Sequence, residues 1–132
     1  MLGIVLITHG NLGKELLAAA EFVLGSIPQS DAVTLTGAED ADRLTGKLQE
    51  SLTRVDRGDG AIILTDMFGG TPSNISLAFL EEGKREVVTG VNLPMIIKAA
   101  SERDGKTLEE LAAQVCKAGR DSISVAGQIL AS

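Results

Sequence analysis

The chain has 132 residues, 44% of them hydrophobic and 23% charged, the size and composition of one globular domain. Twelve basic against eighteen acidic residues give a net charge of −6, and the aromatics are three phenylalanines with no Trp or Tyr. This excludes a basic phosphate-backbone binder and a base-stacking surface, so no nucleic-acid partner is expected. One Cys and one His cannot form an intrachain disulfide or a His/Cys zinc site; neither a metal nor a cofactor is expected.

The apolar start, Met1 to Ile7, runs into Thr8-His9-Gly10 within one strand length and lacks a basic leader. It is too short to span a membrane, and a cytoplasmic protein is expected. Gly3 to Thr8 reads as a strand covered on both faces. A helix is predicted over Leu12 to Leu24, with Leu12, Leu16, Ala19, Ala20 and Val23 as its buried stripe and Gly25 as its stop. Val33 to Leu35 is a short second strand. Asp40 caps a helix in which Leu44, Leu48, Leu52 and Val55 recur on one face.

After a Gly58–Gly60 turn, Ala61 to Thr65 is the third strand. Pro72 opens a helix ending near Gly83, with Thr71 as its N-cap, and Glu86 to Val91 is the fourth strand. Leu93 to Arg103 is helical with Pro94 in its first turn, and Thr107 with Glu110 forms a capping box for a helix reaching about Ala118. Ser122 to Val125 alternates polar and apolar, as an edge strand with one wet face does. The alternation predicts a single α/β domain, residues 1–132, with a mostly parallel sheet and no linker or repeat.

In such a sheet, ligands sit beyond the carboxyl ends of the strands at the switch point. The first strand ends in Thr8-His9-Gly10-Asn11, and the third in Thr65-Asp66-Met67-Phe68-Gly69-Gly70-Thr71-Pro72-Ser73-Asn74. In a flavodoxin-like order these strands are neighbours, and His9 faces Asp66 across one crevice. Gly69 and Gly70 allow close backbone approach. The helix start at Thr71, Ser73 and Asn74 offers N–H groups and hydroxyls to a phosphate-sized anion. An Asp beside a neutral His fixes its tautomer and leaves the other ring nitrogen as a nucleophile. Taken singly, His9 also fits a structural role and Asp66 a turn role. Met67 and Phe68, at the crevice mouth, are candidates for a partner-docking patch, or simply cover the sheet end.

Other motifs fail. Thr8 stands where the first glycine of a dinucleotide fingerprint ending in Gly10 and Gly13 belongs, Gly46-Lys47 is followed by Leu48, and no Gly-x-Ser-x-Gly elbow exists.

The segments Ile4–Gly10, Asp66–Asn74 and Gly90-Val91-Asn92-Leu93-Pro94-Met95 resemble the IIA domain of the mannose/fructose/sorbose family of the bacterial phosphoenolpyruvate-dependent sugar phosphotransferase system. The resemblance covers essentially the whole chain. It implies that His9 accepts a phosphoryl group from the phosphocarrier HPr and passes it to a IIB component for coupled sugar uptake. It further implies that Asp66 orients His9 so that Nε2 is phosphorylated and that Thr71 contacts the phosphoryl group.

The fold it implies is a parallel sheet of order 2-1-3-4 between helical layers. A fifth, antiparallel C-terminal edge strand, matching Ser122–Val125, is exchanged in a homodimer. Phe68 departs from the Trp of well-known members. The chain stops at Ser132, where many members continue into a fused IIB domain, so a separate IIB protein is expected. Alternatives are a regulatory IIA whose His9 phosphorylation state controls partner binding, a dihydroxyacetone-kinase phosphotransfer subunit, and a noncovalent anion or nucleotide binder.

Overall fold

The structure is a computed structural model describing residues 1–131. Strands β1 (Gly3–His9), β2 (Ser30–Leu35), β3 (Ala61–Thr65) and β4 (Arg85–Thr89) form a parallel sheet of order β2-β1-β3-β4. Helices α1 (Leu12–Leu24), α2 (Ala41–Val55), α3 (Thr71–Leu77), α4 (Leu93–Glu102), α5 (Leu108–Asp121) and α6 (Ala126–Leu130) complete the chain.

The unbroken apolar runs of β1 and β3 reflect burial on both faces. Ile4, Leu6, Ile62 and Leu64 pack under α1, α4 and α5 with Ala20, Ile96, Leu111 and Val115. Val5, Ile7, Ala61 and Ile63 pack on the other side against Leu44, Leu48, Leu52 and Val55 of α2, with Ile75 of α3 beside them. The sheet is thus the middle of three layers.

Two predicted caps form as expected. Asp40 accepts the Arg43 N–H at 2.8 Å, and Thr107 Oγ1 accepts the Glu110 N–H at 3.2 Å. Asn92 additionally caps α4, its Oδ1 accepting from the Met95 N–H at 3.2 Å.

Several details differ from the sequence reading, among them β4, which runs Arg85–Thr89 and not Glu86–Val91. Strand β2 begins at Ser30, because Asp31 on this sheet edge is held by Ser51 and Arg54 of α2 and needs no apolar burial. In α1 the buried line is Gly13, Leu17 and Ala20, whereas Leu12 and Val23 are exposed. A single narrow contact suffices because Gly13 lets the helix come down on β1: a Cβ there would lie 3.1 Å from Thr8 Cγ2 and 3.2 Å from Leu6 Cβ.

Helix α3 ends at Leu77 rather than near Gly83. Its last turn tightens into i→i−3 bonds, Phe79 N–H to Ser76 O at 2.9 Å and Leu80 N–H to Leu77 O at 3.3 Å, before the chain turns into β4. Finally, Ser122–Val125 adds no strand to this chain's sheet, and the residues after it form α6. The outer edge of β4 therefore carries no strand among the described residues. The segment follows the end of α5 at Asp121 and lies exposed on the surface.

Among the described residues, no helix is long and apolar enough to cross a membrane.

Candidate functional site: a carboxylate-held histidine

His9 is the last residue of β1, and Asp66 follows the last residue of β3. The two strands are adjacent and parallel, with Ile7 opposite Thr65, so both side chains emerge at the same carboxyl edge. Gly10 ends the strand with a positive φ of 55° and donates its N–H to Leu35 O of β2 at 2.8 Å. Thr8 faces the α1 layer instead and accepts the Gly13 N–H at 2.7 Å, fixing where α1 starts. That explains the Thr8, Gly10 and Gly13 spacing without any nucleotide.

His9 Nδ1 lies 2.8 Å from Asp66 Oδ2, and the His9 main-chain N–H donates to that same oxygen at 3.0 Å. Asp66 Oδ1 accepts the Met67 N–H at 3.0 Å. An ionised carboxylate only accepts hydrogen bonds, so Nδ1 carries a proton, and in the neutral form of the ring the lone pair is on Nε2. Burial pushes the Asp66 carboxyl upward. The hydrogen bonds from the His9 ring and main chain, with the His9 charge, outweigh it and hold Asp66 below its ordinary value. The carboxylate is thus charged throughout the neutral range. The His9 side chain is 48% exposed and that of Asp66 12%. The imidazole is open to solvent, while the carboxylate that holds it is sheltered.

The β3–α3 loop wraps this pair. Gly69 has a φ of 87°, where glycine alone is unstrained. Gly70 is the N-cap of α3, so Thr71 is the first helical residue and not the cap. The shift by one residue has a consequence for the N–H donors: Asn74 gives its N–H to Gly70 O at 2.9 Å. Thr71 and Ser73 then supply the first-turn N–H groups that have no intrahelical acceptor, Pro72 having none to offer. Thr71 is exposed, whereas Ser73 is fully buried with its Oγ unpartnered. Met67 and Phe68 stand at the rim, 54% and 73% exposed.

Two neighbours escape the sequence reading. Leu12, which its spacing assigns to the buried stripe, is 47% exposed at the first turn of α1, directly after the His9-Gly10-Asn11 segment. Glu39 closes the β2–α2 loop beside Leu35. It accepts from Thr36 N–H at 3.0 Å, Thr36 Oγ1 at 2.9 Å and Lys47 Nζ at 2.6 Å. The Lys47 bond draws its carboxyl down, burial opposes it, the Thr36 bonds assist, and the result is about 2. The Thr36–Glu39 spacing is the signal in the sequence for this clamp.

These features define a doubly wound α/β protein with a carboxylate-held imidazole at its switch point. Residues 3–116 match the family model described as "PTS system fructose IIA component". The mannose-specific EIIAB component of the phosphotransferase system (PTS) of Escherichia coli K12 is 32% identical over 124 residues, 92% of this chain and 38% of that protein. The chain therefore spans well under half the length of that relative. The sorbose-specific EIIA component of Lacticaseibacillus casei is 29% identical over 117 residues, 86% of this chain and 83% of that one. Among solved structures, the mannose/sorbose-specific IIA subunit from Enterococcus faecalis superposes with a TM-score of 0.84 at 27% identity, covering 94% of this chain and 93% of that one. The protein belongs to the mannose/fructose/sorbose-type IIA family of the PTS.

Proposed function

We propose that this protein is a phosphoryl carrier that receives phosphate on His9 from phospho-HPr and delivers it to a IIB component for sugar uptake and phosphorylation. The observation that carries this reading is the 2.8 Å contact of His9 Nδ1 with Asp66, which puts the lone pair of the neutral ring on Nε2, in a side chain half open to solvent.

In the forward step, the Nε2 lone pair forms a bond to the donor's phosphorus. The donor's P–N bond breaks, and its electron pair returns to the donor nitrogen. The positive charge this places on the His9 ring is opposed by Asp66, with the Nδ1 proton retained between them. Thr71, through its hydroxyl and N–H, and the open backbone at Gly69 and Gly70 receive the phosphoryl oxygens, while the buried Ser73 supports the turn from beneath. Asn74 serves by closing the first turn through Gly70 O. Phosphoryl transfer asks chiefly for positioning and charge stabilisation, and this site needs no metal for either. Met67 and Phe68 meet the partner protein, and the cytoplasm is where such a relay operates.

Incubation with phosphoenolpyruvate, enzyme I and HPr is expected to add one acid-labile, base-stable phosphoryl group, read by intact mass. Survival of that adduct in His9→Ala refutes the assignment. Adduct formation without onward transfer to any mannose-type IIB points to the regulatory alternative.

We also infer a homodimer in which the C-terminal segment joins the partner's sheet. Its support is a groove of about 490 Å³ along β4 and α5, lined by Val88, Gly90, Ala112, Cys116 and Ile123. The segment itself exposes Ile123 (78%), Val125 (60%) and Leu130 (84%). A free sheet edge beside an apolar segment favours pairing between chains. Sedimentation equilibrium of wild type against Ile123→Asp/Val125→Asp tests it; a wild-type monomer at micromolar concentration refutes it.

A further inference from the structure

Gly69 and Gly70 are adjacent, yet the backbone explains only the first. Gly69 sits at a φ of 87° with open space where a Cβ would be. Gly70 sits at φ −83° and ψ 170°, extended backbone that any residue adopts. As an N-cap, glycine is acceptable but supplies no side-chain bond to the first turn, and α3 has none, whereas Ser, Asp or Asn would serve there at least as well. Neither conformation nor helix capping requires glycine at position 70.

The His9 ring does. A Cβ on Gly70 would stand 2.9 Å from His9 Cε1, 3.5 Å from Nε2 and 3.3 Å from Met67 Cγ. Carbon atoms rest at about 3.5–4.0 Å, so the first of these contacts is forbidden. The ring is therefore held on one edge by Asp66 at Nδ1 and abuts bare backbone on the other, at the Cε1–Nε2 side.

We propose that Gly70 is a positioning residue for His9: its missing side chain sets the rotation of the imidazole, keeping Nδ1 on Asp66 and the Cε1–Nε2 edge against position 70. This rests on His9 being the phosphoryl acceptor, and it assigns Gly70 a task toward the ring in addition to one toward phosphate. The ring is the far end of a half-exposed side chain, so it yields to an added Cβ more readily than the backbone does. The damage then falls on ring geometry and not on the fold.

The test uses the single histidine of the chain, which gives one imidazole signal in a long-range 1H–15N correlation spectrum. In spectra taken at a pH where the ring is neutral, wild type is expected to show the Nδ1-protonated tautomer. Gly70→Ser retains a favoured N-cap residue while adding the Cβ, and Gly70→Ala adds the Cβ alone. Both are expected to keep a near-wild-type thermal midpoint and to shift the ring toward the Nε2-protonated form. His9 phosphorylation should slow roughly tenfold to a hundredfold, the usual penalty of a misplaced reacting group. Gly69→Ala, which strains the loop without reaching the ring, should leave the ring signal in the wild-type form. A wild-type ring signal in both Gly70 variants overturns the proposal, whatever their transfer rates. The ring signal needs no phosphoryl donor, so a wild type that takes up no phosphate would refute the functional reading and leave this test standing.

Discussion

Asp66→Asn exchanges one carboxylate oxygen for an amide NH2 at nearly constant volume, and the donors around it determine the outcome. Three of them converge on Asp66: His9 Nδ1 and the His9 N–H on Oδ2, and the Met67 N–H on Oδ1. An amide has one oxygen for these two positions. With its oxygen toward His9, the NH2 opposes the Met67 N–H, and the ring keeps its tautomer but loses the countercharge. With its oxygen toward Met67, the NH2 opposes the His9 N–H and donates to Nδ1, which moves the ring proton to Nε2 and removes the nucleophile. Neither orientation supports attack as the carboxylate does. Hydrogen bonds to charged groups contribute about 1.5–3 kcal/mol, so single-turnover phosphorylation by phospho-HPr should slow roughly tenfold to a hundredfold or more. Rapid-quench kinetics with intact-mass readout measures the rate, and circular dichroism verifies the fold. A folded Asp66→Asn protein that is phosphorylated at the wild-type rate refutes the role given to Asp66.

Other expectations concern the fold, the rim and pH. Because Asp66 titrates below its ordinary value in the folded state, its stabilising contribution is complete above the unfolded value and is lost as pH falls through the folded one. The stability gap between wild type and Asp66→Ala, from urea unfolding, should thus persist at neutral pH and close below about pH 4; a gap undiminished at about pH 2 refutes this. Leu6→Ala, at a fully buried position in the α1/α4/α5 layer, should cost about 2–5 kcal/mol in the same assay. Phe68→Ala should change stability by less than about 0.5 kcal/mol, since the ring is 73% exposed. The same substitution should raise the KM for phospho-HPr with kcat nearly constant, and an unchanged KM would remove Phe68 from the docking surface.

The inner half of this fold is legible in the sequence because its signals are redundant. In β1 and β3, continuous apolar runs, flanking glycines and terminal polar residues all agree, and Asp40 and Thr107 announce helix starts by their own chemistry. His9 and Asp66 can be paired once two strand ends are set side by side, and the register of Ile7 with Thr65 bears that out. What stays hidden depends on contacts between elements. The stripe on α1 is displaced because two apolar lines run side by side there, and only docking through Gly13 selects Leu17 and Ala20. Thr71 as the cap reflects the ordinary preference for a hydroxyl, whereas the helix starts one residue earlier, its first bond running from the Asn74 N–H to Gly70 O. The onset of β2 at Ser30 depends on Asp31 finding Ser51 and Arg54 about twenty residues away in the chain, which no local pattern encodes.

The order β2-β1-β3-β4 puts His9 and Asp66 on the two central strands, each shielded by an outer one. The spacing of the reacting pair is therefore set by the most deeply buried ladder in the molecule, and the outer strands and their loops can change without disturbing it. A designer wishing to redirect such a relay to a different receiver has a clear division of labour to exploit. On the proposed function, recoding the rim at Met67 and Phe68 should alter which proteins are recognised and leave the His9–Asp66 pair on β1 and β3 as it is.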